Sequence, residues 1–81
     1  MNVEVRLFAQ AKEVAGVDSL ALELPENASV SQLREALVDR VPAMTAMAQF
    51  LLIAVGNDYA DDSVTLPTGV PIACFPPVSG G

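Results

Sequence analysis

The sequence predicts a single small α+β domain, in which a mixed β-sheet carries one main helix on one face. Two observations support this prediction. Apolar residues alternate with a period of two near the start of the chain, and a later segment carries them at helical spacing. A length of 81 residues corresponds to one domain. The chain is 52% hydrophobic and 17% charged, which excludes the intrinsically disordered class.

The first third of the chain predicts two strands and a short helix. Apolar residues at every second position in 3–7 indicate a half-buried strand, and the same alternation in 20–24 indicates another, ended by Pro25. Between them, residues 10–15 favour one or two helical turns. Gly16 can end those turns in a left-handed conformation.

The main helix is predicted for the segment that follows. Ser29 and Gln32 match a capping box, and apolar residues recur at helical spacing over 30–41. Charged residues, Arg34 among them, fall on the opposite side. Pro42 ends the pattern, which leaves a helix of roughly three turns.

The second half of the chain predicts three more strands. Residues 43–50 favour a short helix or a turn. The continuous apolar run 51–55 indicates a central strand covered on both faces. A turn signal at 56–58 precedes a short return strand at 59–60, and a last strand is predicted at 72–75.

This order of elements is that of the ubiquitin-like β-grasp fold. The last strand cannot follow its predecessor through a tight hairpin, so we expect it beside the first strand, parallel to it, in the middle of the sheet. Residues 1–75 are then the globular domain, and residues 76–81 form an extended C-terminal tail.

Charge and composition exclude several classes of function. The net charge of −6 excludes the basic surface that nucleic acid or an anionic membrane requires. With no histidine and one cysteine, no protein-only zinc site is expected. No apolar stretch approaches the ~20 residues of a membrane helix. The N-terminus enters the first strand without a signal-peptide pattern, so we expect a cytoplasmic protein.

The tail carries the chemistry that the body lacks. Two prolines, Pro76 and Pro77, favour an extended arm, and Gly80 and Gly81 let a backbone pass through a narrow channel. A terminal carboxylate is a poor electrophile until ATP adenylates it, after which sulfur or nitrogen nucleophiles attack it. The alternative is an inert terminus with two chance glycines.

Three segments give the chain a resemblance to a known family, the small sulfur-carrier subunits of molybdopterin synthase. They are LFAQAKEVAG at 7–16, LIAVGN at 52–57 and FPPVSGG at 75–81. Gly56 and Pro71 depart from the usual pattern of that family, which puts the turn around them in question.

The resemblance implies a mechanism centred on Gly81. A ubiquitin-activating-like adenylyltransferase uses ATP to adenylate its carboxylate, and a sulfur donor protein converts it to a thiocarboxylate. The tail, including Pro76, Pro77, Val78, Ser79 and Gly80, then contacts and enters the large synthase subunit and gives sulfur to a cyclic pyranopterin precursor. The large subunit supplies the catalytic side chains, two copies of each subunit assemble, and this chain is a non-catalytic donor without a bound cofactor.

A docking face is predicted from the strand alternation. If residues 3–7 turn their apolar side chains to the helix, Phe8 points away from it, and so does Phe75. Tyr59 joins them, and Lys12 lies close by. The alternatives are a bend that turns Phe8 inward, a Tyr59 that is an ordinary amphipathic residue of an edge strand, and a Lys12 that is merely solvated.

Cys74 and the wider function leave choices open. Cys74 lies in an apolar strand, where a free cysteine behaves as a small hydrophobe rather than a persulfide carrier.

Adenylation of the terminal carboxylate also serves a sulfur carrier of another pathway, such as thiamine synthesis. It also serves a ubiquitin-like protein modifier, while a binding module with an inert tail is the remaining alternative.

Overall fold

The structure is a computed structural model that describes residues 1–77. Its five strands form one sheet in the order β2-β1-β5-β3-β4. The strands are β1 (Asn2–Leu7), β2 (Ser19–Glu23), β3 (Leu52–Val55), β4 (Asp58–Tyr59) and β5 (Ile72–Phe75). The helices are α1 (Gln10–Ala15), α2 (Val30–Arg40) and α3 (Thr45–Ala48), with a 3-10 turn at Pro42–Met44. The predicted element order is confirmed.

The last strand occupies the centre of the sheet, as predicted. β5 runs parallel to β1, with Leu7 opposite Cys74, and antiparallel to β3, with Ile53 opposite Cys74. The alternation of β1 places Val5 and Leu7 in the core, where they are at most 1% exposed. The fold is therefore the predicted mixed sheet with one main helix on one face.

The prediction of a central, doubly covered strand at 51–55 was wrong. β3 lies second from the edge of the sheet, and only one of its faces is covered. Ile53 is buried, whereas Leu52 is 38% exposed on the other face. A continuous apolar run indicates that both faces of a strand lack charged side chains. It does not indicate whether another element covers each face.

Helix α2 covers the core side of the sheet. Val30, Leu33 and Leu37 are fully buried and join the same apolar cluster as the inward side chains of the strands. The predicted capping box is present: the Gln32 amide donates to Ser29 Oγ at 3.3 Å, and the Ser29 amide donates to Gln32 Oε1 at 2.9 Å. Local signals therefore set where the helix begins.

The helical spacing predicted that Arg34 lies on the solvated face of α2. The structure contradicts this prediction. Its side chain is 17% exposed. Its guanidinium donates from Nε to Asp62 at 2.7 Å and from Nη1 to the carbonyl of Ala48 at 2.6 Å. Arg34 thus fastens α3 and the loop after β4 to α2, and this role depends on contacts distant in sequence.

The two departures from the family pattern contact each other. The Gly56 amide donates to the carbonyl of Pro71 at 2.9 Å. Gly56 has φ 63 and is the first central residue of the two-residue β3–β4 turn, as in type II′ hairpins. A Cβ there would lie 3.3 Å from Cγ1 of Val70. The turn that these two departures had put in question therefore forms, and glycine suits its positive φ.

Candidate functional site

Within residues 1–77, no element covers the sheet face opposite α2. Exposed or half-buried apolar side chains run along it from β4 to the end of β1. We call this the open face and define it by Phe8, Leu52, Tyr59 and Phe75. Exposed apolar surface of this kind marks binding sites in soluble proteins.

Phe8 and Phe75 form the centre of the open face. Their rings stack with centroids 4.7 Å apart and an angle of 9° between the planes. The parallel register that sets Leu7 opposite Cys74 brings the two rings together one residue later. Phe8 is 39% exposed, so its predicted outward orientation is confirmed, and the alternative of an inward bend is wrong.

A strained residue holds Phe8 in this position. Ala9 has φ 52 and ψ −128, a conformation that costs a non-glycine residue on the order of 1–3 kcal/mol. The chain turns sharply there, so that Phe8 stays outside while Ala11 enters the core with no exposed surface. The Ala11 amide closes the turn on the carbonyl of Phe8 at 3.1 Å. Nothing in the sequence indicates this strain, because a positive φ is expected at glycine, asparagine or aspartate and not at alanine.

The β-sheet register extends the face across two more strands. Leu52 lies opposite Phe75, and Tyr59 lies opposite Ala54. Residues directly opposite each other in antiparallel strands share a face. Tyr59 is 72% exposed, as its predicted interface position requires. Leu52 was missed, because the whole run 51–55 was assigned to the interior.

The remaining predicted site residues lie around the base of the tail. Lys12 is exposed on α1 and makes no ion pair within residues 1–77. Pro76 is half-buried and Pro77 is exposed directly after β5. The predictions for Val78, Ser79, Gly80 and Gly81 fall outside the described residues.

Cys74 lies under the open face rather than on it. It has no exposed surface, and burial raises the pKa of its thiol to about 12, an effect that the nearby cation of Arg34 partly offsets. A thiol with this pKa holds its proton at neutral pH and is a weak nucleophile. The structure supports the interpretation of Cys74 as a packing residue.

Charged side chains border the open face on both sides. Arg6 and Glu4 on β1 and Lys12 and Glu13 on α1 give one side both signs of charge, whereas Asp61 and Asp62 follow β4 at the other edge. Hydrogen bonds from the hydroxyl and the amide of Ser63 lower the pKa of Asp61, which keeps that carboxylate ionised. The face therefore combines an apolar centre with an acidic border after β4, which suits it to bind another protein.

Residues 1–77 offer little else that could do chemistry. No three of their His, Cys, Asp or Glu side chains lie close enough together to hold a metal ion. No helix in this part of the chain is long and apolar enough to cross a membrane. The open face and the tail that follows it are the features left to explain.

Comparison with known sequences identifies the relatives of the chain. The family model of the ThiS family matches residues 5–81. The molybdopterin synthase sulfur carrier subunit of Dictyostelium discoideum is 36% identical over 81 residues, covering 96% of this chain and 94% of that protein. The subunit of the same name from Chlamydomonas reinhardtii is 31% identical and both chains are covered completely.

Solved structures agree with the sequence relatives. SAMP1 from Haloferax volcanii superposes with a TM-score of 0.86 at 28% identity over the full length of both chains. A putative molybdopterin converting factor subunit 1 from Pyrococcus furiosus gives 0.85 at 31% identity, over 96% of this chain and 99% of that one. A chain in the complex of subunits 1 and 2 of the Helicobacter pylori molybdopterin-converting factor gives 0.69 at 28% identity, with full coverage of both chains.

Proposed function

Because this chain belongs to the ThiS family, together with the sulfur carrier subunits of molybdopterin synthase, we propose that it carries sulfur on the carboxylate of Gly81 for molybdopterin synthesis. The structural observation that supports this function is the open face. Its stacked Phe8–Phe75 pair lies immediately before Pro76, at the base of the tail. A partner that binds the face receives the tail at the same time.

The open face addresses an energetic requirement of tail insertion. Ordering backbone costs about 1–2 kcal/mol per residue, and a tail of six residues has to be ordered when it enters an active site. Aromatic side chains, phenylalanine among them, are enriched at protein–protein interfaces, where a few anchor residues supply most of the binding energy. Contacts made by Phe8 and Phe75 would offset the cost of ordering the tail.

The partner proposed for this face is the large subunit of molybdopterin synthase. The solved complex of subunits 1 and 2 from Helicobacter pylori supports this partner, since one of its chains matches the whole of this one. The large subunit would hold the catalytic side chains and the pyranopterin precursor. We propose two copies of each subunit in the complex and a cytoplasmic location.

Loading of Gly81 requires two further proteins in this proposal. An adenylyltransferase of the ubiquitin-activating type joins the carboxylate to AMP and releases pyrophosphate from ATP. A sulfur donor protein then supplies sulfur at the oxidation level of sulfide, which attacks the acyl carbon, displaces AMP and leaves a thiocarboxylate. ATP is a substrate of the activating enzyme and not a cofactor of this chain.

An intact-mass experiment tests the carrier function. The full chain is incubated with the adenylyltransferase of its own genome, ATP and a sulfur donor, and its mass is then measured. Replacement of one oxygen by sulfur, localised to Gly81 by fragmentation, is the expected result. Finding neither an adenylate nor a sulfur-containing product would overturn the proposal.

Deleting Gly81 provides the matched control. This variant should fold normally, since residues 1–77 contain the whole described core, and it should gain no sulfur.

Identifying the large protein that co-purifies with the wild-type chain separates molybdopterin synthesis from a thiamine-pathway role. A partner from the thiamine pathway would contradict the assignment to molybdopterin.

A protein modifier is the second candidate function. The likeness to SAMP1 favours it, because a related Haloferax volcanii structure is described as small archaeal modifier protein 1. An amine attacking the same adenylate would give an amide bond to a lysine of a target. Peptides in which a target lysine carries this C-terminus, found by mass spectrometry of cell extracts, would support this second function.

A further inference from the structure

We propose that the large-subunit partner also binds a second set of apolar side chains, which flank the point where the tail leaves the sheet. These are Val14, Val17 and Phe50, which are 38%, 44% and 61% exposed and lie outside the open face. We call these three residues the rim. The inference rests on the proposed function for the identity of the partner.

The tail leaves the sheet at one end, which we call the tail end. β1 is parallel to β5 and also finishes there, where the Phe8 amide donates to the carbonyl of Cys74 at 3.3 Å. β3 is antiparallel to β5 and therefore begins there, with Leu52 opposite Phe75. Pro76 follows directly, so the tail starts between the end of β1 and the start of β3.

The connections between elements place the rim at the tail end. Val14 is on α1 and Val17 follows it, in the link from the end of β1 to the start of β2. The Leu7 amide donates to the carbonyl of Asp18 at 2.8 Å, which fixes the end of this link beside β1. Phe50 lies on the other side of β5, between α3 and the start of β3. The rim therefore flanks the base of the tail on two sides.

Exposed apolar side chains are distributed unevenly between the two ends of the sheet. Within residues 1–77, six large apolar side chains are exposed, and five of them lie at the tail end: Phe8, Val14, Val17, Phe50 and Leu52. The opposite end, where β1 begins and β3 turns into β4, has none of the six. Single exposed apolar residues are ordinary on a protein surface, whereas their concentration in one region indicates a binding site.

The length of the tail requires a partner that holds Gly81 to come close to the rim. Four residues follow Pro77, and an extended chain spans at most about 3.6 Å per residue, so Gly81 can reach no more than about 14 Å from Pro77. A standard interface buries about 800 Å² on each partner, which corresponds to a patch of roughly 16 Å radius. An interface centred on the base of the tail therefore extends over the rim.

A second copy of the chain is a poor occupant for the rim. Each copy has a net charge of −6, so two copies repel each other at low salt. The large subunit is the better occupant, because a chain in the Helicobacter pylori complex of subunits 1 and 2 matches the whole of this one. The rim then adds contacts beside the tail, while Phe8 and Phe75 form the centre of the interface.

Hydroxyl-radical footprinting of the full chain, free and bound to the large subunit, tests whether the partner covers the rim. In the complex, oxidation of Phe50 should fall at least about fivefold, because its side chain is 61% exposed in the free chain. Met1, which is half-buried at the opposite end of the sheet, is the internal reference and should change less than about twofold. A complex in which Phe50 is oxidised as fast as in the free chain overturns the proposal. Protection of Phe50 in a dimer of the free chain overturns it as well.

Substitutions measure what the rim contributes to the affinity. Phe50→Ser should weaken binding to the large subunit about tenfold, and Val17→Ser about threefold, because each removes apolar surface that the partner buries. Val70→Ser is the matched control for Val17→Ser. Val70 is half-buried just before β5, at the end of the sheet away from the tail, and its loss should change the affinity less than about twofold.

Urea denaturation of the three variants shows that each is folded under the conditions of the binding assay. A Phe50→Ser chain that binds as tightly as the wild type contradicts the proposal, as do equal losses from Val17→Ser and Val70→Ser. If the wild-type chain binds no large subunit at all, the proposed function itself fails, and this inference fails with it.

Discussion

The same strands form both faces of this sheet, but α2 covers one face and solvent contacts the other. On the covered face, side chains such as Val5 and Ile72 are almost completely buried under α2. On the open face, Phe8 and Leu52 keep more than a third of their surface in solvent. One face is buried by the chain itself, and the other retains apolar surface that another protein can bury.

This difference separates stability from recognition. The covered face should determine the free energy of unfolding, and the open face should determine the affinity for partners. In many small domains the two properties share residues, so that a binding variant also unfolds the protein. Here the alternation of the strands assigns them to different side chains, and four experiments test how complete the separation is.

The largest expected effect is the loss of a core leucine. Leu33→Ala should lower the free energy of unfolding by about 3 kcal/mol, because Leu33 has no exposed surface and its removal leaves a cavity. Leu52→Ala on the open face should cost about 1 kcal/mol or less. Urea denaturation measures both, and equal losses would mean that the open face also carries the fold.

Charging the aromatic pair should affect binding instead. Phe75→Asp should weaken the complex with the large subunit by about 2 kcal/mol, or roughly 30-fold in Kd, because it removes half of the stacked pair. Isothermal titration calorimetry gives the affinity, and circular dichroism confirms that the variant is folded.

Thr68→Asp is the control for that variant. Thr68 is exposed near Met1, at the opposite end of β1 from Phe8, and should change neither fold nor affinity. If Thr68→Asp weakened the complex as much as Phe75→Asp, net charge and not the aromatic pair would govern docking.

The pH dependence of stability should show how dry the covered face is. The thiol of Cys74 has an ordinary pKa of 9.0 and a folded-state pKa of about 12. The folded chain therefore holds a proton that the unfolded chain releases, and stability falls as pH rises from about 9 towards 12. At pH 10.5 the loss relative to pH 8 should be about 2 kcal/mol larger than in Cys74→Ala. Identical pH profiles would show that the thiol reaches water.

The smallest expected effect concerns the start of α2. Ser29→Ala removes the side chain that accepts from the Gln32 amide and should cost about 1 kcal/mol. Ser31→Ala is a close control, since its hydroxyl makes no side-chain hydrogen bond within residues 1–77. Thermal unfolding curves of the two variants decide whether the cap adds to the stability that packing provides.

Much of the fold was accessible from the sequence because its signals are local. The Ser29–Gln32 box, the helical spacing after it and the glycine that ends α1 each act over a few residues, and all three predictions are confirmed. The outward position of Phe8 followed from alternation alone. Less of the site was accessible: the exposure of Leu52 depends on which strands pair, and the strain at Ala9 on how the chain turns from β1 into α1.

The sequence by itself determined the fold class, the limits of the main helix and, through its resemblance to a family, the chemistry proposed for Gly81. Only the tertiary structure decided that Phe8 stacks on Phe75, that Arg34 fastens a distant loop, and that one face of β3 stays open. The physical reason is range. Helix periodicity and caps are set by neighbours along the chain, whereas strand register and coverage are set by segments many residues apart.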